Sequence, residues 1–145
     1  MSLATIGLMV ATMVGLALAD FTIKQSTGRI SPAVGTLLYA VAALALPIVW
    51  TIVTAVRGEV VLTRDGALWS IGTGIAFSAV TGLLFLIFGT GVSLSAAIPT
   101  IRTGGLMLAA ALGFVVLGER LTWQYAIGFV LALAGIGLVA TSQAS

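Results

Sequence analysis

An all-α fold that crosses a membrane five times is what this sequence predicts, on three observations. Of its 145 residues 60% are hydrophobic and 7% charged, and the mean hydropathy is +1.24, whereas soluble domains carry about 25% charged residues. Its apolar runs reach the length of about 20 residues that a helix needs to span hydrocarbon. The few charged and turn-forming residues fall between those runs and divide the chain into five segments.

The first segment runs from 3 to 26 and stops at Thr27-Gly28-Arg29, where glycine serves as a C-terminal cap. "ALAD" at 17–20 resembles a signal-peptide cleavage site, but "MSLATIG" ahead of it lacks the basic residues of a secretory signal, so the segment reads as the first membrane helix. The second, 31–56, opens on Ser31 and Pro32, a capping residue followed by proline at the first helical position, and Pro47 is expected to kink it. "RGEVVLTRDG" (57–66) is the polar loop. The third segment covers 67–88, the fourth 94–117 and the fifth 122–141, joined by "GTGVS" and "GERL".

Composition also excludes functions. The chain holds no cysteine and no histidine, which removes disulfides, thiolate chemistry, His-ligated metal sites and histidine pH switching. No metal site and no cofactor are expected, and no nucleophile–base set or phosphate loop points to an enzyme. The net charge of +2 is scattered, which gives no nucleic-acid surface.

Small residues recur every four positions at Gly74, Ser78 and Gly82 in the third segment and at Gly105, Ala109 and Gly113 in the fourth. Such ladders let membrane helices approach closely, and they predict packing of these two helices through Gly74, Gly82, Gly105 and Gly113. Trp123 and Tyr125, Trp69 and Trp50 sit at helix ends as interfacial anchors, while Phe77 and Phe85 read as packing residues.

Orientation follows the Lys/Arg bias near helix ends. The side carrying the N-terminus holds Arg57, Arg64 and Arg120, and the other holds Arg29 and Lys24. That excess is small, and two readings stand: a single orientation with the N-terminus inside, or insertion both ways, with each chain pairing with an inverted copy. An odd number of helices makes a chain of this kind one half of an inverted-repeat ten-helix architecture.

Two charges lie inside the segments. Arg102 is about 12 Å and Asp20 about 9 Å from the same side, at 1.5 Å per residue. Charges at such depth face a bundle interior or a water-filled cavity and have partners. One reading places Asp20, Lys24 and Arg102 around a single polar site with hydroxyls from Tyr39, Ser78, Thr81 and Thr103. The other pairs Asp20 with Lys24, one turn on, and lets Arg102 snorkel to the headgroups. In the first, two cations against one carboxylate favour an anionic or zwitterionic ligand. Pro99, three residues before Arg102, removes a backbone N–H within the fourth helix.

"GFVVLGERLTWQYAIGFVLALAGIGLVA" (113–140) resembles the EamA-type domain of the drug/metabolite transporter superfamily, through Gly118, Glu119, Arg120, Leu121, Thr122, Gln124, Gly128 and Gly135. "IKQSTGRISPAVGTLLY" (23–39) is similar to the corresponding turn of small multidrug resistance proteins. The resemblance implies alternating access by a ten-helix unit in a bacterial or archaeal plasma membrane, here an antiparallel homodimer surrounded by lipid and moving a small-molecule substrate. Small multidrug resistance proteins carry an essential glutamate in their first helix. The matching position here falls near Leu16, and the first helix's carboxylate is Asp20. Arg102 stands where that family keeps small or hydroxyl residues, which argues against a cationic substrate. Glu119 and Arg120 read as turn residues. A different class of function is a non-transporting or heteromeric partner subunit, such as one in a lipid-linked-sugar flippase.

Overall fold

The computed structural model describes residues 2–118, 120 and 122–142, which form helices and connecting turns with no strand among them. Glu119 and Leu121 of the "GERL" turn, and the side chain of Tyr125, lie outside the described residues. The chain divides into two compact units, Met1–Gly91 and Val92–Ser145.

The first unit begins with α1, Leu3–Ser26, whose N-terminus is capped by the Ser2 hydroxyl accepting from the Thr5 N–H at 3.1 Å. At its other end the Thr27 backbone N–H and hydroxyl both donate to the Ile23 carbonyl, at 3.0 and 2.8 Å. Gly28, at φ +80°, then reverses the chain within a few residues and delivers it to Pro32, the first residue of α2.

The second apolar segment is two helices, α2 (Pro32–Ala43) and α3 (Ala45–Val56). The break falls at Leu44, three residues ahead of Pro47 rather than on it. Proline has no N–H for the carbonyl four residues back, and its ring crowds that same carbonyl, so Pro47 acts at Ala43. Helix α3 ends in a Schellman arrangement: Glu59 N–H donates to Thr54 O at 3.1 Å and Gly58 N–H to Ala55 O at 3.0 Å. Gly58 takes the left-handed conformation this requires, at φ +70°.

Helix α4, Arg64–Gly89, starts three residues earlier than the polar composition of "TRDG" suggests, because these residues build its first turn. The Thr63 hydroxyl accepts from Gly66 N–H at 3.2 Å, and Asp65 lies near the positive end of the helix dipole.

Helix α4 organises this unit, packing against both α1 and α2. Its buried residues are Thr81, Leu84, Phe85 and Phe88, the i, i+3, i+4, i+7 stripe of one helical face. Those of α1 and α2 are Asp20 and Gly35, and α3 has none. Close packing therefore concentrates where α1 ends, α2 begins and α4 ends. The rest of the apolar surface is exposed along nearly the whole length of the helices, far more than the few hundred Å² of contiguous patch that a water-soluble monomer shows.

Glycine sets the closeness of α2 and α4. A Cβ on Gly35 would lie 2.5 Å from the Phe85 ring, and one on Gly82 would lie 3.3 Å from the Thr36 hydroxyl. The small residue at 82 thus serves packing against α2. Around Gly74 no described atom comes within 4 Å of a Cβ position.

The second unit pairs α5, Leu94–Val115, with α6, Trp123–Ser142. Helix α5 runs through Pro99 without a break and buries Ala97 and Gly113. Gly105 has no described neighbour within 4 Å of a Cβ position. Among the described residues four spans are long and apolar enough to cross a membrane, 3–26, 32–56, 64–89 and 94–115, and α6 adds a shorter apolar stretch, 126–135. Length and composition together are consistent with a multi-pass membrane protein.

Gly35→Ala drives a methyl group into the tip of a buried ring, and overpacking of this kind costs about 1–3 kcal/mol. Gly74→Ala meets nothing, and alanine's helix propensity makes it neutral or stabilising by up to about 1 kcal/mol. Unfolding of the two variants in detergent is expected to separate them in that order; equal effects would contradict the Gly35–Phe85 contact.

Candidate functional site

The closely packed end of the first unit also holds its buried polar residues among those described. Asp20 is 4% exposed on α1, Thr81 is 5% exposed on α4, and Lys24 is half-buried one turn after Asp20. Burial of a carboxylate is tolerated only when its oxygens are paired, and among the described residues no buried side-chain nitrogen or oxygen lacks a hydrogen-bond partner.

Lys24 identifies where the C-terminal ends of α1 and α4 meet. Its Nζ lies 5.1 Å from the centroid of the Phe88 ring, within range of a cation–π interaction. Phe88 is 2% exposed, so water does not screen that face of the ring strongly. The lysine also stands in the last turn of α1, where the carbonyl end of the helix dipole favours a cation. At 1.5 Å per residue, Asp20 is about 6 Å further along α1 toward its middle than Lys24, and Thr81 about 10 Å further along α4 than Phe88.

Thr81 is anchored within its own helix, its hydroxyl donating to the Phe77 carbonyl at 2.9 Å. That bond occupies the hydroxyl proton and leaves the oxygen able to accept. Ser78, half-buried and one turn before Gly82, lines a groove of about 610 Å³ between α2 and α4 with Pro32, Ala33, Thr36, Leu37, Ala40, Gly82 and Leu86. The Thr36 hydroxyl on the α2 side is satisfied by Pro32 O at 2.8 Å. The groove is apolar, with Ser78 and Thr36 as its hydroxyl-bearing residues.

Of the residues expected to form a site, the structure gathers Asp20, Lys24 and Thr81 at one end of the first unit. Ser78 belongs to the neighbouring groove, and Tyr39 is 37% exposed on α2. Arg102 and Thr103 are half-buried on α5, in the second unit. That unit has its own apolar groove of about 400 Å³ between α5 and α6, lined by Met107, Ala110, Ala111, Phe114, Ala126, Phe129 and Val130.

Sequence reasoning missed two participants. Phe88 was passed over, although it completes the i+7 position of the stripe begun by Thr81. Gly35 carries no mark of its role in the sequence, although it is the surface on which the Phe85 ring rests. Phe77, by contrast, is half-exposed, and Trp50, Trp69 and Trp123 are exposed at 77%, 81% and 71%. No protein-family model, curated protein or solved structure matches the chain.

The Thr81 hydroxyl donates to a carbonyl that also belongs to the helical ladder, so Thr81→Val orphans no backbone group. Chemical unfolding in detergent is expected to shift by no more than about 1 kcal/mol. A larger loss would show that the Thr81 oxygen carries a second bond inside the cluster.

Proposed function

We propose that the protein is a membrane transporter, moving a small anionic or zwitterionic metabolite or amphiphile by alternating access as an antiparallel homodimer. The observation that carries this reading is that Asp20 is buried and Lys24, one turn on, stands over the Phe88 ring at the close-packed end of the first unit. Ionisable residues inside membrane helices are costly and mark substrate or ion pathways. Counted along the apolar segments of the sequence, Lys24 and Arg102 are two cations and Asp20 is one carboxylate, a balance that favours a ligand bringing negative charge.

Three further features support the proposal. The resemblance of 113–140 to the EamA-type domain suggests membership of the drug/metabolite transporter superfamily and a bacterial or archaeal plasma membrane. Five apolar segments, the second broken at Leu44, would form one repeat of a ten-helix transporter, with an inverted second copy supplying the other. Breaks such as that at Leu44 are tolerated where a helix lines a cavity.

Reconstituted proteoliposomes on a solid-supported electrode test the proposal. Jumps in concentration of carboxylates, phosphates and amino acids are expected to give currents with at least one class and none with quaternary amines. Asp20→Asn should lower the responding current by roughly tenfold or more. In the same liposomes Ser2→Cys, the sole cysteine, should label with an impermeant maleimide partly before and partly after permeabilisation. Labelling from one side only, with no current for any class, would favour a heteromeric partner subunit.

A further inference from the structure

We propose that Asp20 and Phe88 form a binding site for a primary ammonium group, and that Lys24 fills this site from within the chain, barring external cations. The inference deepens the transporter reading and rests on it for its role in substrate choice. Its test reads binding to the full chain and does not depend on transport.

Three features that attract a cation lie in the last two turns of α1 and on the α4 ring that Lys24 reaches. Asp20 supplies a carboxylate with 4% exposure. Phe88 supplies an aromatic face, itself 2% exposed, with the Lys24 Nζ 5.1 Å from its centroid. The last-turn carbonyls of α1 supply the negative end of a helix dipole. A carboxylate with an aromatic face is the chemistry that recognises organic ammonium ions.

The occupant is already attached. Lys24 is the single lysine of the sequence, the other five cations being arginines. A helical side chain leans toward the N-terminus of its own helix, so the Lys24 chain is directed back toward the turn that carries Asp20. Its ammonium is a compact point charge with three donors on a flexible stem, and its Nζ stands over the Phe88 ring. With the ammonium in place the carboxylate is compensated, and an external cation would have to displace a ligand held at very high effective concentration.

Truncating Lys24 to alanine deletes the equivalent of n-propylammonium, so that molecule is the probe. Lys24→Ala, purified full-length in detergent, is expected to melt several degrees below wild type. Propylammonium should restore most of that loss saturably, as a ligand binding only the folded state does. n-Propanol, of the same size and uncharged, should restore none of it. Wild type, whose site is filled, should not respond, and the Asp20→Asn/Lys24→Ala double variant should respond to neither probe. Equal shifts in wild type and Lys24→Ala, or propanol matching propylammonium, would overturn the proposal. Should Lys24→Ala fail to fold, acylation of Lys24 followed by mass spectrometry decides. Phe88→Leu should raise the acylation rate several-fold over wild type, and equal rates would overturn the proposal.

Discussion

A carboxylate removed from water inside a bundle of apolar helices is stable only where neighbouring groups replace its hydration. Asp20 meets that requirement at the place where α4 packs against its neighbours most closely. Most of the first unit's buried side chains lie within about two helical turns of that end. Gly35 admits the Phe85 ring, Gly82 admits Thr36, and Phe88 presents its face to the Lys24 ammonium. Polar satisfaction and steric closeness depend on each other here: without glycine the helices would stand apart, and a buried carboxylate without hydrogen-bond partners would draw in water.

In a membrane the hydrophobic effect does not bring helices together, since lipid chains are as apolar as leucine. Packing, hydrogen bonds and electrostatics at a few points must do so. That accounts for the uneven distribution of burial in the first unit. Helix α3, set off from α2 by the action of Pro47 at Ala43, buries no residue, whereas α4 buries four along one stripe. Such a unit leaves broad apolar faces exposed along its helices.

Much of the helical layout was legible because the signals are local. Thr27-Gly28 closes α1, and Ser31-Pro32 opens α2, each through backbone chemistry that neighbouring residues determine. What escaped the sequence depends on partners or acts at a distance along the chain. Proline's effect reaches back to the carbonyl four residues earlier, so the break appears at Leu44. The polar stretch "TRDG" reads as loop until Thr63 is seen to cap it. A glycine announces that something can come close, yet not what: Gly82 serves α2, and the ring against Gly35 arrives from a residue 50 positions away. For the site, the depth of Asp20 in its segment was readable from spacing, but the aromatic face beneath Lys24 was not. A phenylalanine in an apolar run carries no mark that separates it from packing.

The central claim is that Asp20 and Lys24 act as one coupled element at the closed end of the first unit. A double-mutant cycle with Asp20→Asn, Lys24→Met and the combined variant, read as unfolding free energy in detergent, tests it most directly. Coupling of about 1 kcal/mol or more is predicted, the double variant losing clearly less than the sum of the single losses. Additivity within about 0.5 kcal/mol would contradict the account.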